Sequence, residues 1–115
     1  MKVIIAGSRT ITDYNLVKLA VEKSGWFDEI TEIVSGCARG VDQLAIRFAK
    51  EHNIPIAKFP ADWDKHGRGA GYIRNAEMGK YGDALIAVIK DDSPGTTNMV
   101  KVMDKKGKLV FVDKL

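Results

Sequence analysis

Residues 32–45 read Glu32-Ile33-Val34-Ser35-Gly36-Cys37-Ala38-Arg39-Gly40-Val41-Asp42-Gln43-Leu44-Ala45, a short apolar run that ends in small residues and passes straight into helical spacing. Val41, Leu44, Ala45, Phe48 and Ala49 recur at steps of three and four, which predicts an amphipathic helix starting at Gly40 or Val41. The Ile-Val run before it suits a strand buried on both faces. Strand, glycine-rich turn and helix thus form one unit.

That unit recurs along the chain. Strands are predicted at Lys2 to Ala6, Glu32 to Ser35, Pro55 to Phe59, Ala84 to Ile89 and Leu109 to Val112. The first helix begins near Thr12 or Asp13, either of which can cap it, with Leu16, Leu19 and Ala20 as its apolar stripe. A third helix covers about Gly69 to Lys80 with Ile73, Ala76 and Met78 inward. A fourth runs from about Thr97 to Lys105 with Val100 and Met103 inward, and Gly107 ends it. Alternation of this kind predicts an α/β fold: a Rossmann-like, doubly wound, parallel five-stranded sheet with helices on both faces, residues 1–115 forming one domain.

Glycines and small polar residues cluster just after the strands, at Gly7 to Thr10, Ser35 to Gly40, Pro60 to Arg68 and Asp91 to Thr97. In an open parallel sheet the carboxyl ends of the strands share one rim, where ligands bind, so these segments are expected to converge. The connections that precede strands, such as Ser24-Gly25-Trp26-Phe27-Asp28 and Lys80-Tyr81-Gly82, carry ordinary turn chemistry. Trp26 and Phe27 read as core cover, with an oligomer contact as the second choice.

Composition narrows the classes. Hydrophobic residues make up 45% and charged residues 29%, as in soluble globular domains. No apolar run approaches the roughly 20 residues of a membrane span, so no membrane partner is expected. Met1 to Gly7 lacks a leader's long apolar region and reads as a strand, from which a cytoplasmic location is expected. The single cysteine, Cys37, excludes an internal disulfide and fits a reducing compartment. Net charge is +3, and Lys101, Lys105, Lys106, Lys108 and Lys114 supply much of it as a solvated surface. Without a clear basic stripe or stacking platform, nucleic acid is not expected as a partner.

The rim segments carry the candidate ligand-binding residues. Gly7 lets a ligand approach the backbone, Ser8 offers a hydroxyl, and Arg9 can grip a phosphate or carboxylate, or the three form a plain turn. Neither the three-glycine dinucleotide fingerprint nor the phosphate loop ending in Gly-Lys-Ser/Thr is present. Ser35, Gly36, Arg39 and Gly40 lead into a helix start whose bare amides suit an anion. Asp42 either compensates the helix dipole or hydrogen-bonds a ribose or base. Cys37 would need a base beside it to act as a nucleophile, and neither His52 nor His66 is placed for that.

Residues 60–75 are too long for a plain connection and read as a binding loop. Trp63 can stack on a base or anchor the loop. Arg68 and Arg74 can meet phosphates, and Asn75 can bond a base edge or hold the loop. Asp62, Asp64 and His66 alternate in the manner of metal ligands, but no further ligand lies at a sensible spacing, so neither metal nor cofactor is expected. Ser93, Gly95, Thr96 and Thr97 form either a second anion cradle or a helix cap.

In this order, Gly7-Ser8-Arg9, Ser35-Gly36 through Gly40-Val41-Asp42, Pro60-Ala61-Asp62-Trp63 with Gly67-Arg68, Arg74-Asn75 with Met78, and Ser93-Pro94-Gly95-Thr96 span almost the whole chain. The set resembles the SLOG superfamily, the Rossmann-like group that contains the LOG phosphoribohydrolases and DprA, and most of all its YspA, cpYpsA-related branch. The resemblance implies a nucleotide-derived small molecule as ligand, of the ADP-ribose or nucleoside monophosphate class, held by a sensing or sequestering module. Asp62 joins the candidate site on this ground, and self-association is a further implication. LOG enzymes carry Pro-Gly-Gly-x-Gly-Thr-x-x-Glu, and here the glutamate's place holds Met99. A thioether accepts no proton, so catalytic residues stay unassigned. The alternatives are an N-glycosidic nucleotide hydrolase using Asp42, Asp62, Asp64 or Glu77, and, third, a binder of single-stranded DNA.

Overall fold

The computed structural model describes all 115 residues. Its strands are β1 (Lys2–Gly7), β2 (Glu32–Ser35), β3 (Ile56–Lys58), β4 (Ala84–Ile89) and β5 (Leu109–Lys114). Its helices are α1 (Tyr14–Ser24), α2 (Val41–Glu51), α3 (Trp63–His66), α4 (Ala70–Tyr81) and α5 (Pro94–Lys105). All strand pairs are parallel, in the order β3-β2-β1-β4-β5. The expected five-stranded, doubly wound sheet is therefore present.

Alternation within the strands divides the core in two. Val3, Ile5, Ile33, Ile86 and Val88 face α1 and α2, where Val17, Ala20, Ala45 and Phe48 meet them. Ile4, Ala6, Val34, Leu85 and Ala87 face α4 and α5, under Met78, Met99 and Met103. Every residue of β4 is buried, which explains why that strand reads as an unbroken apolar run. The chain builds outward from β1 to β3, then crosses back to lay β4 on the other side of β1. Helices leave β1 and β4 on opposite faces, and this strand-order reversal opens a crevice at their carboxyl ends.

Several boundaries differ from the sequence reading. β3 shrinks to Ile56–Lys58, although ladder bonds continue on either side, from Ile33 N–H to Pro55 O (2.9 Å) and from Phe59 N–H to Ser35 O (2.8 Å). β5 runs on to Lys114 because Asp113 and Lys114 still pair with Val88 and Ile89. Asp13 is the cap of α1, accepting from Asn15 N–H, and this phase buries Tyr14, Val17, Ala20 and Val21 while Leu19 faces out. On α4 the inward side is Ala70, Asn75, Met78 and Gly79, whereas Ile73 and Ala76 are exposed. α5 starts at Pro94, three residues before the expected Thr97, because proline at the first helical position lacks only an amide that would have no partner anyway. The 60–68 segment is also not a plain loop: Asp62 caps the one-turn α3, and a 3-10 turn over Gly67–Gly69 leads into α4.

The spacing of α4 and α5 decides how two walls of the crevice face each other. Lys108 Nζ donates to Gly79 O and Gly82 O, both at 2.7 Å, and so ties the end of α4 to the approach to β5. Gly79 lies against α5, where an added Cβ would sit 2.5 Å from Val102 Cγ1. No helix is long and apolar enough to cross a membrane. Gly79→Ala is expected to cost about 1–3 kcal/mol through overpacking, in spite of alanine's better helix propensity. In a double-mutant cycle with Val102→Ala, urea denaturation should give a favourable coupling of about 1 kcal/mol; strict additivity would show that the contact does not set the helix spacing.

Candidate functional site

At the carboxyl end of β1, an added Cβ on Gly7 would run into Val88 O of β4 and the side chain of Val41, so glycine is what lets the strands close here. Ser8 follows. Its amide donates to Val88 O (3.0 Å), its carbonyl accepts from Val41 N–H (3.3 Å), and its hydroxyl donates to Lys90 O (2.9 Å) while accepting from Lys90 N–H (2.8 Å). Ser93 Oγ also lies against this hydroxyl. The expected free hydroxyl of Ser8 is therefore committed to joining β1, α2 and the segment after β4. Arg9, next in sequence, is exposed on the rim with no hydrogen bond to the protein.

The turn between β2 and α2 is likewise more self-satisfied than its sequence suggests. Ser35 is fully buried; its hydroxyl donates to Asp42 O (2.9 Å) and accepts from Cys37 N–H (3.2 Å). Ala38 N–H donates to Asp42 Oδ2 (3.1 Å). Gly40, at φ 78°, packs its Cα against the carbonyls of Ser8 and Arg9. The Val41 amide is taken by Ser8 O, whereas the amides of Arg39, Gly40 and Asp42 have no acceptor in the protein, so the start of α2 is closed only in part.

The carboxylate of Asp42 is buried and looks onto the crevice. Its carboxyl is pushed up to about 6 because burial disfavours the charge, against the opposing pull of the Ala38 amide and the Arg74 and Arg9 guanidiniums. Arg74 reaches across from α4: Nη1 donates to Gly36 O and Nε donates to Asn75 Oδ1 (3.0 Å). An added Cβ at Gly36 would strike both the Arg74 guanidinium and Asp42 Oδ2, so only glycine leaves room for the two charged groups.

Asn75 completes the α4 wall. Its Nδ2 donates to Gly95 O (3.1 Å) and Asn98 Oδ1 (2.9 Å), while Oδ1 receives Arg74. Of the two expected roles, holding the loop is the one it performs. Asp62 is spent in the same way, its side chain accepting from Lys65 N–H (3.0 Å) as the α3 cap. That cap presents Trp63 half exposed over the crevice.

The start of α5 remains open. Ser93 is the N-cap residue but makes no side-chain cap bond, and the amides of Gly95 and Thr96 have no acceptor in the protein. Thr96 is only 7% exposed, and its hydroxyl has no hydrogen-bond partner although the residue lines the crevice. A hydroxyl open to the cleft and two bare amides at the positive end of a helix dipole are groups whose chemistry suits an anion. Capping by Thr96 or Thr97 is not what these residues do.

Together these walls enclose a cleft of about 360 Å³. Gly7, Ser8, Arg9 and Asp42 line one side, Trp63, Arg68, Arg74 and Asn75 another, and Ser93, Gly95 and Thr96 a third. A second cleft of about 410 Å³ adjoins it, lined by Gly36 and Arg39, with Arg9, Trp63 and Arg74 shared between the two. Ser35, Gly40, Asp62 and Thr97 line neither, their roles being structural or their positions too far out. Thr10, Tyr72 and Asp92 line the first cleft without having been named as candidate binding residues, and Met78 and Met99 lie on its floor. Tyr72 had a sequence signal: it is the second aromatic of the long binding segment.

Cys37 sits in the left-handed region at φ 64°, and burial followed by the nearby Asp42 charge pushes its thiol up, away from the thiolate form. His52 packs against Phe27 and Phe48 at the far end of α2. His52 is therefore not placed to serve the thiol as a base.

The model of the YspA, cpYpsA-related SLOG family matches residues 1–66. The gene 61 protein of Mycobacterium phage D29 is 33% identical, across 92% of this chain and 90% of that protein. DNA processing protein A (DprA) from Streptococcus pneumoniae superposes with a TM-score of 0.74 at 17% identity, over 96% of this chain and 49% of the other. The chain thus spans about half the length of DprA, and the likeness is one of fold.

The buried Asp42 generates a pH prediction. Its folded value of about 6 lies above the unfolded 3.8, so the native state holds the proton more tightly and stability declines as pH rises from about 4 to 6, by up to about 3 kcal/mol from this group. Asp42→Asn should flatten that decline and raise the melting temperature at pH 7. Melting curves from pH 4 to 8 that superpose for the two proteins would refute the assignment.

Proposed function

The chain belongs to the YspA, cpYpsA-related SLOG family, and from that premise we propose that it binds a phosphorylated nucleoside compound of the ADP-ribose or nucleoside monophosphate class in the crevice between β1 and β4. The observation that carries this reading is the open start of α5, with the free Gly95 and Thr96 amides and the unpartnered Thr96 hydroxyl, facing a cleft that Arg9, Arg68 and Arg74 also line. Helix amides and guanidiniums are complementary to phosphate. Asp42, an acceptor among these donors, suits the hydroxyls of a ribose. The volume of about 360 Å³ falls within the range of small-molecule sites.

Binding without turnover is the primary reading, as in a module that senses or sequesters its ligand. Met99, where LOG enzymes carry their glutamate, is buried on the cleft floor beside Met78, and neither thioether can accept a proton. A hydrolase is the second reading, favoured by one observation: Asp42 is a buried carboxyl on the cleft whose value near 6 falls in the working range of an acid or base. Asp62, Asp64 and Glu77 do not line the cleft, which leaves Asp42 as the candidate from that set.

Isothermal titration with AMP and ADP-ribose tests the reading. Thr96→Val, which removes one hydroxyl at nearly constant shape, should weaken binding by about tenfold, as for a hydrogen bond to a charged group. Arg9→Ala should weaken it comparably and make it less sensitive to salt. A wild-type protein that binds neither compound at millimolar concentration sinks the proposal. Chromatographic detection of free base after long incubation separates the two readings: turnover abolished by Asp42→Asn would establish the hydrolase.

A further inference from the structure

Trp63 is the large aromatic side chain that the first and second clefts share. It stands 52% exposed, and Tyr72, on the wall of the first cleft, is 53% exposed. This exposure is built into the local structure. Asp62 caps α3 and so fixes the backbone that carries the indole, and Gly71 keeps the facing stretch of α4 without a side chain, its Cβ position lying 3.7 Å from the Trp63 ring. An indole held half in water at the mouth of a cleft has a flat apolar face available to another flat molecule. By contrast, the amide and hydroxyl best suited to reading a base edge are already occupied. Asn75 uses both ends of its side chain on Arg74, Gly95 and Asn98, and Ser8 spends its hydroxyl on Lys90 and Ser93.

We propose that Trp63 carries the nucleobase of the ligand by stacking and is the principal affinity determinant for it, so that bases are accepted for their flat face rather than discriminated at their edges. The inference rests on the nucleotide-binding reading and deepens it: the phosphate is fixed at the start of α5, and the base lies at the α3 end of the same cleft. Purines bind alike, and pyrimidines, with a smaller face, bind more weakly. Arg68, the guanidinium that precedes this part of α4, lines the same cleft and is placed to add to the stacking.

The test uses ADP, GDP, CDP and inorganic pyrophosphate with the wild type, Trp63→Ala and Trp63→Phe. ADP and GDP should differ by no more than about threefold, because stacking tolerates either purine. Trp63→Ala should lose about tenfold or more in ADP affinity, Trp63→Phe should retain most of it, and pyrophosphate should bind all three proteins alike. Trp26 packs edge-on against Phe111, so in a Trp26→Phe background the remaining fluorescence reports Trp63 alone; it should be quenched by ADP and not by pyrophosphate. The inference is overturned if Trp63→Ala binds ADP as the wild type does, or if ADP and GDP differ by more than about twentyfold, the mark of hydrogen-bonded edge reading. A wild type that binds pyrophosphate no less tightly than ADP also overturns it, while leaving the phosphate site intact. Failure to bind any of these compounds or ADP-ribose removes the nucleotide reading itself.

Discussion

Ser8 is where the three segments that make the crevice are joined. Its amide extends the β1–β4 ladder by one bond, its carbonyl closes the start of α2, and its hydroxyl is exchanged with both backbone groups of Lys90. Each bond forms in a site from which water is nearly excluded, since Ser8 is only 3% exposed, so loss of one partner would leave a buried polar group unsatisfied. Because Arg9 follows immediately and Ser93 lies against the same hydroxyl, fixing Ser8 also places the backbone from which a rim arginine departs and the approach to α5. The crevice is thus hydrogen-bonded together from below.

A second constraint is electrostatic. Gly36 leaves just enough room for the Arg74 guanidinium and the Asp42 carboxyl, the latter at a desolvation cost visible in its raised value of about 6. No ion pair joins the two, and the molecule's two ion pairs, Lys23–Asp113 and Arg47–Glu51, lie elsewhere. Arg74 instead spends its donors on Gly36 O and Asn75. The buried carboxyl therefore keeps acceptor capacity toward the cleft. Burial of an unpaired carboxyl costs stability, and it leaves a polar wall on the cleft.

How much of this was legible in the chain can be judged from particular residues. The apolar runs Val3 to Ala6, Ile33-Val34 and Ala84 to Ile89 named their strands because β1, β2 and β4 are central and buried on both faces. β3 and β5, at the edges, were bounded less well, since an edge strand is half solvated and its pattern fades. Gly7 pointed to close approach by a ligand, whereas the atoms that crowd it belong to Val88 and Val41; the room that Gly36 leaves for Arg74 and Asp42 showed only in the structure. What the residue types of Ser8, Ser35, Asp62 and Asn75 could not reveal was the direction of their polar atoms. Each has a side chain that bonds a ligand or a backbone group equally well, and in each the backbone had first claim.

The sequence by itself determined the α/β class, the order of elements and the stretches that end on the rim, because hydrophobic period and glycine placement are local properties of the chain. Only the tertiary structure decided which amides at the helix starts stay unpaired. Both candidate turns are small, polar and followed by a helix, yet Ser8 takes the first amide of α2, at Val41, while no segment reaches the Gly95 and Thr96 amides of α5. That difference comes from contacts between residues more than thirty positions apart, and a linear pattern does not encode them.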